Sequence, residues 1–279
     1  MFILLKKSIA NLFTILNLVL GFFAIILIAL SIDNNANYIS TACILIYFAT
    51  IIDVFDGKIA RRLGTSGEFG KQIDSLADLV SFCLVPSFLI FSYYYDPLNS
   101  ENMNLKFEVL VILCSLPLVC GAIRLAKFNA YEEQSEKKYY LGLPTPGNAL
   151  FICSMILFME QKFSILPRDV IFSNINILQL FILPMEKILI SNYFSLLFIC
   201  SLSSMLLISK VHYSKFPIFK IKLDKNNLYN LISIIIFFIF LVFGLINKQH
   251  NNVILLFITY YIVFGIIRWF IRLFKNNGA

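Results

Sequence analysis

The chain is 279 residues long, 59% hydrophobic and only 14% charged, with a mean hydropathy of +0.83. This apolar share lies far above that of soluble domains, so the composition excludes a soluble enzyme or binding domain and predicts an integral membrane protein. The net charge of +7 would suit nucleic acid, but the basic residues lie between apolar runs. There they indicate membrane orientation and not a nucleic-acid partner.

Eight apolar runs follow one another along the chain, most of them close to the ~20 residues that cross the hydrocarbon core. They cover residues 12–32, 38–55, 76–94, 107–125, 146–160, 190–208, 228–246 and 252–271. We therefore predict an all-α integral membrane protein with eight spans. The first run is too long for a signal peptide and no cleavage site follows it, so we expect it to be retained. The six cysteines lie inside these runs and are expected to be small core residues.

The basic residues are distributed unevenly between the two sides of the predicted membrane domain. Most of the 23 Lys and Arg residues fall before the first run and in every second connection after it. The positive-inside rule then places both termini in the cytoplasm, together with the connection between the second and third runs. The connection at residues 161–189 is then expected on the side of the membrane opposite the cytoplasm, and its sequence indicates no role.

Four of the eight aspartates lie at the end of the second run and the start of the third: Asp53, Asp56, Asp74 and Asp78. Spacings of three and four residues put each pair on one face of a helix. Acids at a membrane face are unfavourable unless a metal or a proton-transfer role holds them there. Because Mg²⁺ and Mn²⁺ prefer carboxylate oxygens, two such helix ends packed together predict a pocket for two metal ions and a phosphate group.

Small residues and an arginine accompany the acids. Gly57, Ala60 and Gly70 let a phosphate or a base approach the backbone, or let helices pack closely. Arg61 offers a permanently charged fork to a diphosphate. The alternative is that the acids are ordinary helix-end charges paired with nearby Lys and Arg residues. The joint spacing favours a site, since four desolvated acids would otherwise have no explanation.

The stretch from Asp53 to Asp78 resembles the signature of the CDP-alcohol phosphotransferases, D-x-x-D-G-x-x-A-R-x8-G-x3-D-x3-D, without a gap or substitution. In that family a CMP-linked lipid or alcohol donates its substituted phosphate to a second alcohol and releases CMP. The resemblance implies that Asp53, Asp56 and Asp74 ligate the metals. It implies that Asp78 touches the second metal and acts as general base.

The same resemblance assigns residues to the nucleotide. It implies that the cytidine diphosphate is lined by Gly57, Ala60, Arg61 and Gly70. Some relatives use a hydroxyl at the position of Gly67 to contact the nucleotide, and Ser66 or Thr65 is expected to replace it here.

Five further stretches resemble the bacterial membrane-embedded phosphatidylserine synthases of this family. They begin at residues 11, 75, 124, 142 and 206 and read NLFTILN, SLADLVSF, RLAKFN, GLPTP and LLISK. The resemblance covers roughly residues 11–220. It implies a six-helix catalytic membrane domain over 1–220 and an extension with two transmembrane helices over 221–279. It further implies CDP-diacylglycerol as donor, L-serine as acceptor, and a bacterial inner-membrane location with the site facing the cytoplasm. Relatives are commonly homodimers, and the sequence leaves the oligomeric state open.

Serine carries a carboxylate and an ammonium group, so its pocket needs a cation. Arg124 and Lys127 end the fourth span on the same side as the acids and are the candidates, although anchoring at the membrane interface is an equal alternative. Asn11, Thr14 and Asn17 form a polar stripe on the first helix. They are expected either to contact CDP-diacylglycerol or to hydrogen-bond a neighbouring helix.

Two alternative functions stay open at this stage. The same chemistry could serve glycerol 3-phosphate, inositol phosphate or choline. A phosphorylated acceptor would need more basic residues than Arg124 and Lys127 supply, and choline would need an aromatic cage. A cation transporter is a different class, but its acids are expected near mid-membrane between two related halves. No internal repeat occurs in the sequence.

Overall fold

The computed structural model describes residues 2–33, 38–63, 67–95, 106–131, 139–164, 193–214 and 250–276. Almost all of these residues lie in helices. In chain order the helices are α1 (Phe2–Asp33), α2 (Ile39–Leu63), α3 (Glu68–Asp78), α4 (Val85–Tyr94), α5 (Phe107–Tyr131), α6 (Thr145–Ser164), α7 (Tyr193–Met205) and α8 (His250–Asn276). The described residues also include two short strands, β1 (Tyr139–Leu141) and β2 (His212–Ser214).

Helices that suit a membrane dominate the described residues. Four are long and apolar enough to cross one, by length and composition: Leu12–Ile32, Glu68–Tyr94, Phe107–Ala130 and Asn251–Phe274. Three shorter apolar stretches lie at Ile39–Phe55, Thr145–Glu160 and Phe194–Ile208. The protein is therefore an all-α, multi-pass membrane protein. The predicted seventh run, 228–246, lies outside the described residues, and the division into six core helices and two added ones stays a prediction.

The third span is one continuous helix whose hydrogen-bonding pattern changes directly after Asp78. The residues Leu79–Leu84 form a π-helical segment between α3 and α4. Such segments are wider than an α-helix and frequently occur at functional sites. Within it, the Ser81 hydroxyl donates to the backbone carbonyl of Asn17 in α1 at 2.9 Å. The two helices approach this closely because Gly21 lacks a Cβ, which would overlap the Ser81 side chain.

The helix α6 lies at the centre of the packing, against α2, α4, α7 and α8. Every residue from Phe151 to Met159 is buried, which explains why this run shows no polar face in the sequence. All six cysteines are buried free thiols, so their prediction as core residues is confirmed.

A two-stranded antiparallel sheet joins distant parts of the chain, a feature that the all-α prediction did not include. Tyr140 of β1 pairs with Tyr213 of β2. The chain leaves β1 through Gly142, whose φ of 74° favours glycine. Tyr213 is fully buried and lies against Tyr261 and Gly265 of α8. The sheet therefore links α8 to the segments that precede α6 and follow α7.

Candidate active site

Three carboxylates converge where α2 meets α3. One oxygen atom from each of Asp53, Asp74 and Asp78 lies within 4.8 Å of the other two, and all three residues are half-buried. The structure thus brings together acids from the two predicted helices. Asp56 follows Asp53 by three residues on α2, but its side chain lies outside the described part of the chain.

These acids extend the buried faces of their helices. On α2, Ile46 and Ala49 are fully buried, and Asp53 follows at the same spacing of three to four residues. On α3, the two acids flank the fully buried Ala77. Because α1 packs against both α2 and α3, burying these apolar faces also turns the carboxylates towards one another.

The donor set fits a hard divalent cation. Three carboxylates this close repel one another, more strongly when they are partly buried, and a cation between them removes the repulsion. Every donor is an oxygen atom, which Mg²⁺ and Mn²⁺ prefer and softer metals do not. The arrangement can therefore hold such a cation and, with it, a phosphate or diphosphate group.

Side chains from α1 and α6 surround the Asp78 carboxylate. The Thr145 hydroxyl donates a hydrogen bond to it, and the N–H groups of the Asn17 amide also face it. Thr145 is the first residue of α6, so the positive end of that helix favours the negative charge on Asp78. The Oδ1 atom of Asp78 is buried without a hydrogen-bond partner among the described residues. One carboxylate oxygen is therefore left for a ligand.

Thr145 is a site residue that the sequence analysis missed. The signal lay in the residues themselves, because a hydroxyl residue between Pro144 and Pro146 is typical of the first turn of a helix. That signal predicts where α6 begins. It does not predict that α6 begins beside Asp78, which follows only from the packing of α6 against the π-helical segment.

The polar stripe of α1 faces the protein interior. Thr14 is 5% exposed and Asn17 is 1% exposed, and the buried face continues through Gly21 and Ala24 at helical spacing. The side chain of Asn11 lies outside the described part. Thr14 therefore shares a face with the residue that contacts Asp78.

The other predicted nucleotide contacts lie on either side of the connection between α2 and α3. Gly70 is half-buried in α3, one turn before Asp74. Three more belong to α2 with side chains outside the described part, and one lies outside it entirely: Gly57, Ala60, Arg61 and Ser66.

Arg124, predicted to bind serine, is held by backbone carbonyl groups. Its Nη1 donates to the carbonyl of Leu141 at 2.5 Å and to that of Leu207 at 3.3 Å. It therefore ties α5 to β1 and to the turn that follows α7. A Cβ on Gly142 would lie 2.9 Å from this Nη1. Lys127, one turn further along α5, is exposed, and the predicted serine contacts of both residues stay predictions.

A separate open groove of about 160 Å³ lies between α3 and α5. Its lining includes Gln72, Leu79 and Leu125, and Ser75 and Asn129 hydrogen-bond to each other there at 3.0 and 3.2 Å. None of Asp53, Asp74 and Asp78 lines it. The groove is therefore distinct from the aspartate site.

Comparison with known proteins identifies relatives of this chain. The family model of the CDP-alcohol phosphatidyltransferases matches residues 7–186. The CDP-diacylglycerol–serine O-phosphatidyltransferase of Helicobacter pylori is 29% identical over 266 residues, which are 95% of this chain and 92% of that protein. The protein of the same name from Methanocaldococcus jannaschii is 34% identical over 152 residues, 53% of this chain and 62% of that protein. The archaetidylserine synthase of Methanothermobacter thermautotrophicus is 35% identical over 152 residues, 54% of this chain and 58% of that protein.

The family match covers more than half of the chain and includes all four aspartates. It agrees with the signature, with the helical membrane fold and with the convergence of three of the acids. The chain is a transferase that belongs to the CDP-alcohol phosphatidyltransferase family.

Proposed function

We propose that this protein transfers the phosphatidyl group of CDP-diacylglycerol to the hydroxyl group of L-serine, giving phosphatidylserine and CMP. The observation that carries the proposal is the similarity along 95% of the chain to an enzyme named for serine. The other two relatives are named for a serine-containing product or acceptor as well, although their names differ in the lipid. They therefore support the acceptor more strongly than the identity of the lipid chains.

Divalent cations, Mg²⁺ or Mn²⁺ and two in number, are part of this proposal. Their ligands are Asp53, Asp56, Asp74 and Asp78, and the convergence of three of these carboxylates supports the assignment. Bound cations neutralise the diphosphate of the donor and the charge that develops on the phosphoryl group during transfer.

Asp78 is the general base. Its carboxylate takes the proton of the serine hydroxyl, and the serine oxygen attacks the phosphorus that carries the diacylglycerol. The bond from that phosphorus to the CMP oxygen breaks as the new phosphorus–oxygen bond forms. The hydrogen bond from Thr145 orients the carboxylate and leaves the buried Oδ1 for the acceptor.

The substrates would lie around the acids. The cytidine diphosphate would contact α1 and the ends of α2 and α3, through Asn11, Thr14, Gly57, Ala60, Arg61, Ser66 and Gly70. The serine carboxylate would contact Arg124, with Lys127 nearby. The Nη1 of Arg124 already binds two carbonyls, so this assignment relies on the other nitrogens of the guanidinium.

The site faces the cytoplasm in this proposal. Asp53 lies near the end of the apolar stretch Ile39–Phe55, and the other two acids lie in the first half of Glu68–Tyr94. Acids at one end of the spans, on the side with most Lys and Arg residues, let soluble serine and CMP exchange with the cytosol while the acyl chains stay in the lipid.

An acceptor competition tests the proposal. The purified protein in liposomes receives CDP-diacylglycerol, Mg²⁺ or Mn²⁺, and either serine, glycerol 3-phosphate, inositol phosphate or choline, and both CMP release and the lipid product are followed. We expect serine-dependent release of CMP, and Asp78→Asn should lower its rate by about 100-fold or more.

The matched control is Glu108→Gln, which changes an exposed acid in the first turn of α5 and should leave the rate of CMP release unchanged. Release with another alcohol alone would overturn the serine assignment, and no release with any of them would overturn the proposed reaction.

A further inference from the structure

The side chain of Asn17 is buried beside Asp78, and its amide oxygen has no partner. Asn17 is 1% exposed, and its amide lies against the Asp78 carboxylate. Its Nδ2 faces the carboxylate oxygens of Asp78, whereas its Oδ1 has no hydrogen-bond partner among the residues that the structure describes. The carboxylate decides the orientation of the amide, because only the N–H groups can donate to it and the amide oxygen would be repelled. A buried amide in this state is unfavourable unless a ligand supplies the missing partner.

Another buried asparagine shows what a purely structural role looks like in this fold. Asn148 of α6 is fully buried. Its Oδ1 accepts a hydrogen bond from Ser203 at 2.9 Å, and its Nδ2 donates to Ser204 at 3.4 Å. These bonds join α6 to α7. The Oδ1 of Asn17 has no such partner on a neighbouring helix in the described part, although its position on α1 is equally well fixed.

The position of Asn17 relative to Asp78 is fixed through the backbone. The Ser81 hydroxyl holds the Asn17 carbonyl at 2.9 Å, and Gly21 allows α1 to lie directly on the π-helical segment that follows Asp78. The amide is therefore pre-organised to contact whatever binds at the buried Oδ1 of Asp78.

The chemistry of the unpaired oxygen points to the acceptor and not to the diphosphate. Phosphate oxygens only accept hydrogen bonds, so a diphosphate cannot satisfy the unpaired Oδ1. An ammonium group only donates, and it would satisfy Oδ1. Three carboxylates nearby also attract a cation. In serine, two carbon atoms separate the hydroxyl oxygen from the amino nitrogen, so a side chain next to the general base can reach the ammonium group.

We propose that Asn17 binds the ammonium group of the acceptor amino acid beside Asp78. The inference rests on the proposed function, because it assumes that the acceptor is an amino acid with a hydroxyl group. It assigns to α1 a part in choosing the acceptor, in addition to any contact with the nucleotide.

The test compares serine with 3-hydroxypropanoate, which keeps the hydroxyl and carboxylate groups and lacks the amino group. In Asn17→Leu we expect the KM for serine to rise about 10- to 100-fold, as for a lost hydrogen bond to a charged group. The inhibition constant of 3-hydroxypropanoate and the KM for CDP-diacylglycerol should stay within about threefold of wild type, since neither ligand uses the unpaired oxygen. If the leucine variant does not fold, Asn17→Ala is measured in the same way.

The matched control is Asn251→Leu. Asn251 is also buried, at 5% exposure, with an unpaired Oδ1 in the described part, but it lies at the start of α8, and its replacement should change none of the three constants. A rise in the KM for CDP-diacylglycerol with an unchanged KM for serine would overturn the inference and place Asn17 on the nucleotide. Equal weakening of serine and 3-hydroxypropanoate, or no change in either, would also overturn it. A wild-type protein that uses other alcohols but not serine would instead refute the proposed function.

Discussion

At the scale of single residues, the site depends on carboxylates that the fold holds on buried helix faces. Asp53, Asp74 and Asp78 are half-buried and close enough to share a ligand. Partial burial strengthens both their mutual repulsion and their attraction to a cation, because less water screens the charges. Removing one of these carboxylates should therefore affect cation binding far more than removing an exposed acid.

Asp74 gives a direct test of that expectation. We expect Mn²⁺ at a hundredfold excess over its Kd to raise the Tm of the wild-type protein by roughly 5–10 °C. Asp74→Asn keeps the size of the side chain and removes its charge, so it should lose most of this shift. Thermal unfolding with and without Mn²⁺ measures the effect, with Glu108→Gln as the control that keeps the shift. A full shift in the Asp74 variant would exclude Asp74 as a ligand.

Thr145 should act on catalysis without acting on cation binding. Thr145→Val keeps the shape of the side chain and removes the hydroxyl that donates to Asp78. We expect kcat to fall about tenfold, the loss of one hydrogen bond to a charged group, while the Mn²⁺-dependent Tm shift persists. Thr145→Ser retains the hydroxyl and should restore most of the rate. If the valine variant keeps its full kcat, Thr145 does not orient the base.

At the scale of helices, the sequence predicts what depends on neighbours along the chain and misses what depends on packing. The apolar runs predict most helices, and spacings of three and four predict that Asp74 and Asp78 share a face. The π-helical segment after Asp78 and the contact between α1 and Ser81 were not predicted. Both arise where two helices meet, and nothing in the local periodicity encodes that meeting. The pairing of β1 with β2 joins residues about 70 positions apart and was missed for the same reason.

Gly21 tests whether this helix contact positions the site. A Cβ at Gly21 would overlap the Ser81 hydroxyl and come within 3.0 Å of its Cα, so Gly21→Ala must push α1 away from the π-helical segment. We expect a loss of about 1–3 kcal/mol in the free energy of unfolding and a drop in CMP release.

The control for Gly21 is another helical glycine with room around it. A Cβ at Gly147 would meet its nearest neighbours at 3.8–3.9 Å, which is ordinary contact. Gly147→Ala should therefore be neutral or stabilising by up to about 1 kcal/mol, since alanine favours a helix over glycine. Equal effects of the two substitutions on unfolding would show that the close contact of Gly21 is unimportant.

At the scale of the whole molecule, α8 is packed into the structure that holds the site. It lies against α6, whose first residue binds Asp78, and against β2. The sheet in turn carries Leu141, whose carbonyl binds Arg124. Through these contacts, the described part of the 221–279 extension packs against the predicted catalytic domain. We therefore expect that residue 220 does not separate two independently folding units.

Gly265 and Tyr213 provide the test of that continuity. A Cβ at Gly265 would overlap the Tyr213 ring, so Gly265→Ala should destabilise the protein by about 1–3 kcal/mol and also lower CMP release, because the displaced sheet holds Arg124. Tyr213→Leu removes the ring edge and should relieve much of this effect. In a double-mutant cycle we therefore expect a coupling of at least about 0.5 kcal/mol in the free energy of unfolding, since the effects of substituting two residues in contact do not add.

Tyr213→Phe serves as control, because the Tyr213 hydroxyl has no partner in the described residues and its removal should be nearly neutral. A cooperative loss of stability and activity together would mean that α8 belongs to the catalytic unit, whereas a stability change that leaves CMP release untouched would favour a separate extension.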